Sequence, residues 1–318
     1  MNETGALRRL LEKPWLWAYV GALAVWLATI GFTAGHGAGQ VLTAALSFAT
    51  FSVIVAIGQM YVITLGPGNV DLSIPATMTL AGSVSMKLMD TQDSMVLIGL
   101  VAALGCGVGV GAVNYMLIRL LRIPPIIATL SSSFVVLSAA ISANRGIRIK
   151  PPPLLSDATT WIVAGVPVLT VAAIVVTVVM AVVLHRTIYG RTVTAIGQNP
   201  RAARLAGLPV DRTRLLTYAM CGGFAGLNGY LLSGFSGGAA LNMGQEYLLA
   251  SIAVVVIGGT SVAGGFANLP GLWGAALMLF LLVTMLNTFG LGAGIRLVLT
   301  GLIIVTVITA AGGKKAIR

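Results

Sequence analysis

Asp71 is the one acid close to a break between apolar segments of this chain, in the run GPGNVDLSIP (66–75). An ionisable group at that depth could bind a cation, pass a proton or meet a polar solute. The simpler role is structural. A carboxylate there can cap a helix beginning near Leu72 by accepting backbone N–H bonds from Ser73 and Ile74, and the sequence favours that role. Other chemistry is sparse. His36 and His185 fall at segment ends and no second buried acid exists, so neither a proton relay nor a sodium site can be assembled. Cys106 and Cys221 sit in GCGVGVG and CGGFAG, where small packing residues are expected rather than a disulfide or a metal site. The GK of GGKKAIR is followed by lysine and has no strand before it, so it is not a phosphate loop. No paired carboxylates and no Ser/His/Asp or Cys/His set could hydrolyse anything. The chain is not expected to be an enzyme, and no catalytic or metal-binding residue is assigned.

The elements that hold these residues follow from the composition. Of 318 residues, 57% are hydrophobic and only 8% charged, where soluble domains carry roughly 25% charged residues. So few charges cannot cover a water-facing globule, so this is an integral membrane protein. Its apolar stretches run for about 20 residues without alternating, which excludes an outer-membrane barrel. Ten segments are expected, near 15–35, 41–65, 73–89, 95–118, 124–143, 161–184, 215–235, 248–262, 269–289 and 297–312. The first is too long for a secretory signal and is expected to remain as a span. The net charge of +11 could suggest nucleic acid, but the basic residues sort by loop. Ten spans place 14 of them with both termini and 5 opposite, which puts the termini in the cytoplasm.

Forty glycines suit close helix packing, with Gly105/Gly109, Gly107/Gly111 and Gly222/Gly226 at the four-residue spacing. Packing does not account for GPGNVDLSIP (66–75) or GGTSVAGGFANLPG (258–271), where Pro67, Pro75 and Pro270 interrupt any ordinary helix. Broken backbone within a membrane must be buried in protein or line a wet cavity. One break in each half points to an inverted-repeat core. The expected path residues are Gln59, Gly66, Asn69, Asp71, Ser73, Gly258, Gly259, Thr260 and Asn268. The expected layout is an N-terminal segment 1–14, a single membrane domain 15–312 and a tail 313–318.

The largest basic loop, 185–214, carries its own punctuation. Asn199 suits an N-cap, Pro200 the first turn and Gly207 the C′ position. A short helix from Pro200 to Ala206 is expected, bearing Arg201, Ala202, Ala203, Arg204, Leu205 and Ala206. Its alanines offer too little area to anchor in lipid, and a small-residue face suits a protein groove.

The loop AIGQNPRAARLAGLPVDRTR resembles the cytoplasmic coupling segment of ATP-binding-cassette sugar permeases of the ribose/xylose/galactose type. VDLS, SIAVVVIGGTSVAGGFANLPG and RIPPIIATLSSSFVVLSA resemble other motifs of that family in the same order, over about residues 40–312. The resemblance implies an all-α, ten-span, type II-like importer permease in a bacterial inner membrane. It implies a second permease copy or paralogue, two cytoplasmic ATPases docked on the coupling helices, and a periplasmic substrate-binding protein. ATP and Mg2+ would be held by those ATPases and no cofactor by this chain. Nucleic acid is not an implied partner. Pro67 and Pro75 depart from the family's GGIDLSVGS, and the loop RGIRIKPPPLL keeps Arg145-Gly146 but loses the usual continuation, which suggests pairing with a different permease. A permease for branched-chain amino acids or nucleosides shares the architecture. A stand-alone channel or ion-driven carrier is the alternative of another class. On these residues alone, Ala203→Trp is expected to uncouple transport from ATP hydrolysis without blocking membrane insertion, which uptake assays check.

Overall fold

The computed structural model describes residues 14–33, 35, 37–144 and 149–288, with isolated positions between 292 and 306. All but isolated positions of the expected tenth segment, and the basic N-terminal residues, Arg145 and Arg148 of the external loop, and the C-terminal tail, lie outside the described residues. In chain order the long helices are α1 (Pro14–Phe32), α2 (Ala38–Thr64), α3 (Ile74–Met89), α4 (Val96–Leu121) and α5 (Pro125–Ala143). There follow α6 (Pro153–Thr160), a two-residue hairpin of β1 (Ile162–Val163) and β2 (Val166–Pro167), and α7 (Val168–Arg186). The basic loop forms α8 (Ile188–Gln198) and α9 (Pro200–Leu205). The chain continues through α10 (Val210–Phe235), α11 (Glu246–Ile257) and α12 (Leu269–Thr288).

Five helical stretches among the described residues are long and apolar enough to cross a membrane: Ala38–Thr64, Asp93–Leu121, Pro125–Ala143, Val168–Arg186 and Leu269–Asn287. Leu16–Phe32 and Glu246–Ile257 are apolar but shorter. Proline sets the starts of α3, α5, α6 and α9 by standing in their first turns, where its missing N–H costs nothing. The segment expected at 161–184 begins instead with the hairpin. Ala164 and Gly165 turn it with φ of 49° and 82°, and the helix starts only at Val168. The segment expected at 248–262 ends as a helix at Ile257, because Gly259 takes φ 91°.

The core is built around α2, which is buried throughout from Val53 to Thr64, as a helix apolar on nearly every side is expected to be. α10 lies along α4, α3 and α2, while α12 packs on α1 and α2. Polar ties lock α7 to this body: the Tyr61 hydroxyl donates to the Met180 carbonyl at 2.7 Å, and the Trp273 indole N–H to Thr177 Oγ1 at 3.0 Å.

Glycine sets the α4–α10 distance. A β-carbon at Gly107 would overlap the Gly222 carbonyl, one at Gly111 the Tyr218 carbonyl, and one at Gly226 the Ala103 carbonyl. Of the three expected glycine pairs, Gly107/Gly111 and Gly222/Gly226 therefore face each other across one seam. Gly105 and Gly109 look outward onto open space. Gly111→Ala is expected to destabilise the detergent-solubilised protein by ~1–3 kcal/mol or more through overpacking. Gly109→Ala is expected to be neutral or slightly stabilising, since alanine favours a helix by roughly 1 kcal/mol over glycine. Thermal-unfolding midpoints of the two variants check the contrast.

Candidate functional site

The two breaks, far apart in sequence, meet in space. After α2, Gly66 turns the chain with φ +122°, and in the second break Gly264 turns with φ +86°. A β-carbon at Gly264 would overlap Gly66 Cα, and the Gly265 N–H donates to the Thr64 carbonyl at 3.0 Å. The helix of the basic loop closes this junction from a third side. Gly197, in the last turn of α8, sits so tightly that a β-carbon would overlap the Thr64 carbonyl and the Gly265 nitrogen. Backbone from α2, the second break and the basic loop thus touches at one point.

The second break is a closed turn. Ser261 N–H donates to the Phe266 carbonyl at 3.0 Å, Asn268 N–H to Thr260 Oγ1 at 3.2 Å, and Asn268 Nδ2 to the Gly258 carbonyl at 2.7 Å. Gly258 lies against Gly271 at the start of α12. Gly259 supplies the positive φ that ends α11. Of the residues expected here, Thr260 and Asn268 serve to bond the turn to itself.

The first break is held by a fully buried polar network. Asp71 is 1% exposed. Its N–H donates to Gln59 Oε1 at 3.2 Å, and Gln59 Nε2 returns a bond to the Asp71 carbonyl at 3.5 Å. Asp71 Oδ1 accepts from Ser73 N–H at 2.9 Å, from Ser73 Oγ at 2.6 Å and from Asn114 Nδ2 at 3.4 Å. Asn114 Nδ2 also donates to Ser73 Oγ at 2.7 Å, and Ser132 Oγ donates to Asn114 Oδ1. Thr129 Oγ1 accepts from Leu72 N–H at 3.1 Å. The network joins α2, α4 and α5 to the break. The expected capping role is met in altered form: α3 begins at Ile74 rather than near Leu72, and Ser73 is its N-cap residue. Asp71 takes the Ser73 N–H, while Ser73 Oγ and Asn114 replace the expected Ile74 donor. Asp71 Oδ2 is buried without a hydrogen-bond partner among the described residues, in the neighbourhood of Cys221. Gln59, Asp71 and Ser73 are enclosed within the subunit in this conformation.

The basic loop has the expected punctuation. Asn199 Oδ1 accepts from Arg201 N–H and Ala202 N–H, both at 3.0 Å, a cap worth about 1 kcal/mol. Gly207 takes φ +77°, its N–H reaches the Arg204 carbonyl at 3.0 Å, and Leu208 N–H reaches the Ala203 carbonyl at 3.1 Å. This is the paired bonding of a Schellman stop. Helix α9 ends at Leu205 with Ala206 as its C-cap. One expectation needs correction. Ala203 is 4% exposed and packs on the chain's own core, whereas Leu205 is 90% exposed beside outward-facing Arg201, Ala202 and Ala206. A two-turn helix lying on a surface must turn one face inward, and Ala203 belongs to that face. A tryptophan there would disturb this chain's own packing, so it cannot report on docking. α8 is anchored by Tyr189, bonded to Thr217 Oγ1 at 2.8 Å. Burial pushes the Tyr189 hydroxyl up to about 12, so this link stays uncharged.

Three further residues carry geometry that sequence spacing did not single out. Gly197 read as one loop glycine among several. Asp211, at the start of α10, pairs with Arg119 of α4 and Arg204 of α9, each at 3.5 Å. These pairs are well exposed and contribute about 0.2–1 kcal/mol each. Thr129 offered no signal beyond its place beside the SSS run.

An all-α multi-pass membrane protein, with two broken segments meeting against Gly197 of α8 and the capped, arginine-bearing α9 next along the chain, is built as a membrane permease. Residues 41–308 match the family described as branched-chain amino acid transport system / permease component, and the chain belongs to it. Among its relatives is the ribose import permease protein RbsC of Escherichia coli (strain K12), 28% identical over 327 residues and covering 99% of each chain. A probable ABC transporter permease protein, y4mJ, of Sinorhizobium fredii is 30% identical over 270 residues, covering 84% of this chain and 79% of its own. The fructose import permease protein FrcC of Rhizobium meliloti is 28% identical over 292 residues, covering 89% and 81%. No solved structure matches.

Asp71→Asn keeps an oxygen acceptor for Ser73 and Asn114 and is expected to stay close to the unaltered chain in stability. Asp71→Leu strands those donors, at about 1–3 kcal/mol for each one left unpaired. It is expected to lower the thermal midpoint and speed hydrogen exchange at the start of α3. Equal behaviour of the two variants would remove Oδ1 as the organising atom.

Proposed function

We propose that this chain is the membrane subunit of an ATP-driven importer for a monosaccharide or a related small polar solute. The observation that carries the proposal is α9. It is a helix capped at both ends, backed by its own core through Ala203, and presenting Leu205 with Arg201 and Arg204 to a partner. A cytoplasmic ATPase with an apolar pocket and an acidic rim fits that surface. ATP and Mg2+ would be held by that ATPase, since the GK of GGKKAIR in this chain does not make a phosphate loop. Close backbone contact between Gly197, Gly66 and Gly264 supports a role for α8 in passing ATPase motion to the breaks.

The rest of the assembly follows from this role. A secreted binding protein delivers the solute to the opposite face, and a second permease, copy or paralogue, completes the path. For a ten-span layout, the 14-to-5 distribution of basic residues supports cytoplasmic termini, and one break in each half supports an inverted-repeat core. The sugar assignment draws on the relatives named for ribose and fructose. The family's own description favours a second reading, a branched-chain amino acid permease.

The test is purification of the complex from membranes, followed by uptake into proteoliposomes. Uptake of a labelled monosaccharide is expected only with ATP, the ATPase and the binding protein together. Leu205→Asp is expected to remove the ATPase from the complex while the chain still inserts. Uptake by the chain alone would establish a stand-alone carrier instead. Uptake of leucine but not sugar would establish the second reading, and the number of permease species in the complex decides copy against paralogue.

A further inference from the structure

Asp211 holds more than its two arginines. The Tyr115 hydroxyl, one turn before Arg119 on α4, donates to Asp211 Oδ1 at 2.9 Å. An ionised carboxylate only accepts, so the direction of that bond is fixed. Tyr115 is 4% exposed, and its ring lies 6.2 Å from that of Tyr218 on α10, tilted by 30°. The Tyr218 hydroxyl donates in turn to Asn69 Oδ1 at 3.1 Å, and Asn69 Nδ2 donates to the Gly66 carbonyl at 3.2 Å. The Asn69 amide is thereby oriented from both ends. A line of direct contacts runs from the Arg204 guanidinium on α9 to the backbone of Gly66 in the first break.

We infer that Asp211, Tyr115, Tyr218 and Asn69 form a positioning relay that ties the docking helix to the first break and makes opening of the break depend on α9. The inference rests on the docking role proposed above. Gly66 is held from two sides. Gly264 and Gly265 of the second break, under Gly197 of α8, press on the Thr64–Gly66 backbone, and the relay grips the Gly66 carbonyl through Asn69. The backbone junction bears on Gly66 from the side of the second break, and the relay, three hydrogen-bonded links joined by one ring contact, holds its carbonyl from the side of α4 and α10. Tyr115 and Tyr218 are buried and Asn69 half-buried, so a displaced α9 either carries this line with it or leaves the tyrosine hydroxyls short of partners, which is unfavourable. The outer pairs to Arg204 and Arg119 are exposed and weak, which lets the connection re-form after each cycle.

The experiment uses the purified complex of the full chain with its ATPases and binding protein, measuring solute moved per ATP hydrolysed. Tyr115→Phe and Tyr218→Phe each keep the ring and remove one hydroxyl. Each is expected to lower that ratio about fivefold or more, the lower range of measured coupling between sites, while the ATPases still co-purify and hydrolyse ATP. The double variant is expected to be no worse than either single one, because the line is already cut. Asp211→Asn is expected to lower the ratio too, and Asp211→Glu to retain it. A merely structural role would change yield or thermal midpoint and leave the ratio alone. Unchanged ratios in both single variants, or losses that multiply in the double one, overturn the relay while leaving docking intact. ATPases that remain bound to Leu205→Asp overturn the docking role and the relay with it.

Discussion

Between α4 and α10 nothing but glycine fits, and the closeness this allows decides what else can form. With Gly107 and Gly111 laid on Gly222 and Gly226, the two backbones approach until Tyr115 on one helix meets Asp211 and Tyr218 on the other. Lipid tails are as apolar as leucine, so helices in a membrane gain by dispersion contact and hydrogen bonding rather than by escape from water. A wider α4–α10 spacing would separate Tyr115 from Tyr218 and from Asp211. It would also move Cys221 away from Asp71 and open the enclosure in which the first break is held.

The same economy of side chain recurs at the junction of the breaks. Gly66, Gly197 and Gly264 bring three separate stretches of backbone to one point. Contacts of this kind are stiff, because carbonyls and amides cannot rotate out of the way as a leucine or methionine can. The turns around them are built on positive-φ glycines. The Asp71 network ties the first break to α2, α4 and α5 on its far side.

Much of the fold was legible in the sequence, and particular elements show why. Apolar runs of helical length, ended by proline and glycine, located the helices to within a few residues. Asn199, Pro200 and Gly207 described a capped helix because each acts locally, on backbone groups two to four positions away. The misplacements also have local causes. The hairpin at 162–167 is too apolar to be told from a helix start. Ala203 faces inward because an isolated short helix gives no indication of which side meets its own protein. Most of the tenth segment lies outside the described residues.

The site was legible only in pieces. The sequence by itself determined that the chain lives in a membrane, that it breaks at 66–75 and 258–271, and that a punctuated basic helix lies between those breaks. Those properties depend on composition and on neighbours a few residues apart. Only the tertiary structure decided that the two breaks touch, that Gly197 closes them, and that Asp211 connects Arg204 to Tyr115. Each of these joins residues that lie on different helices, and no spacing rule along the chain encodes the distance between helices. That distance is set by which faces lack a β-carbon, and by which of several glycine pairs, Gly107/Gly111 rather than Gly105/Gly109, finds a partner in three dimensions.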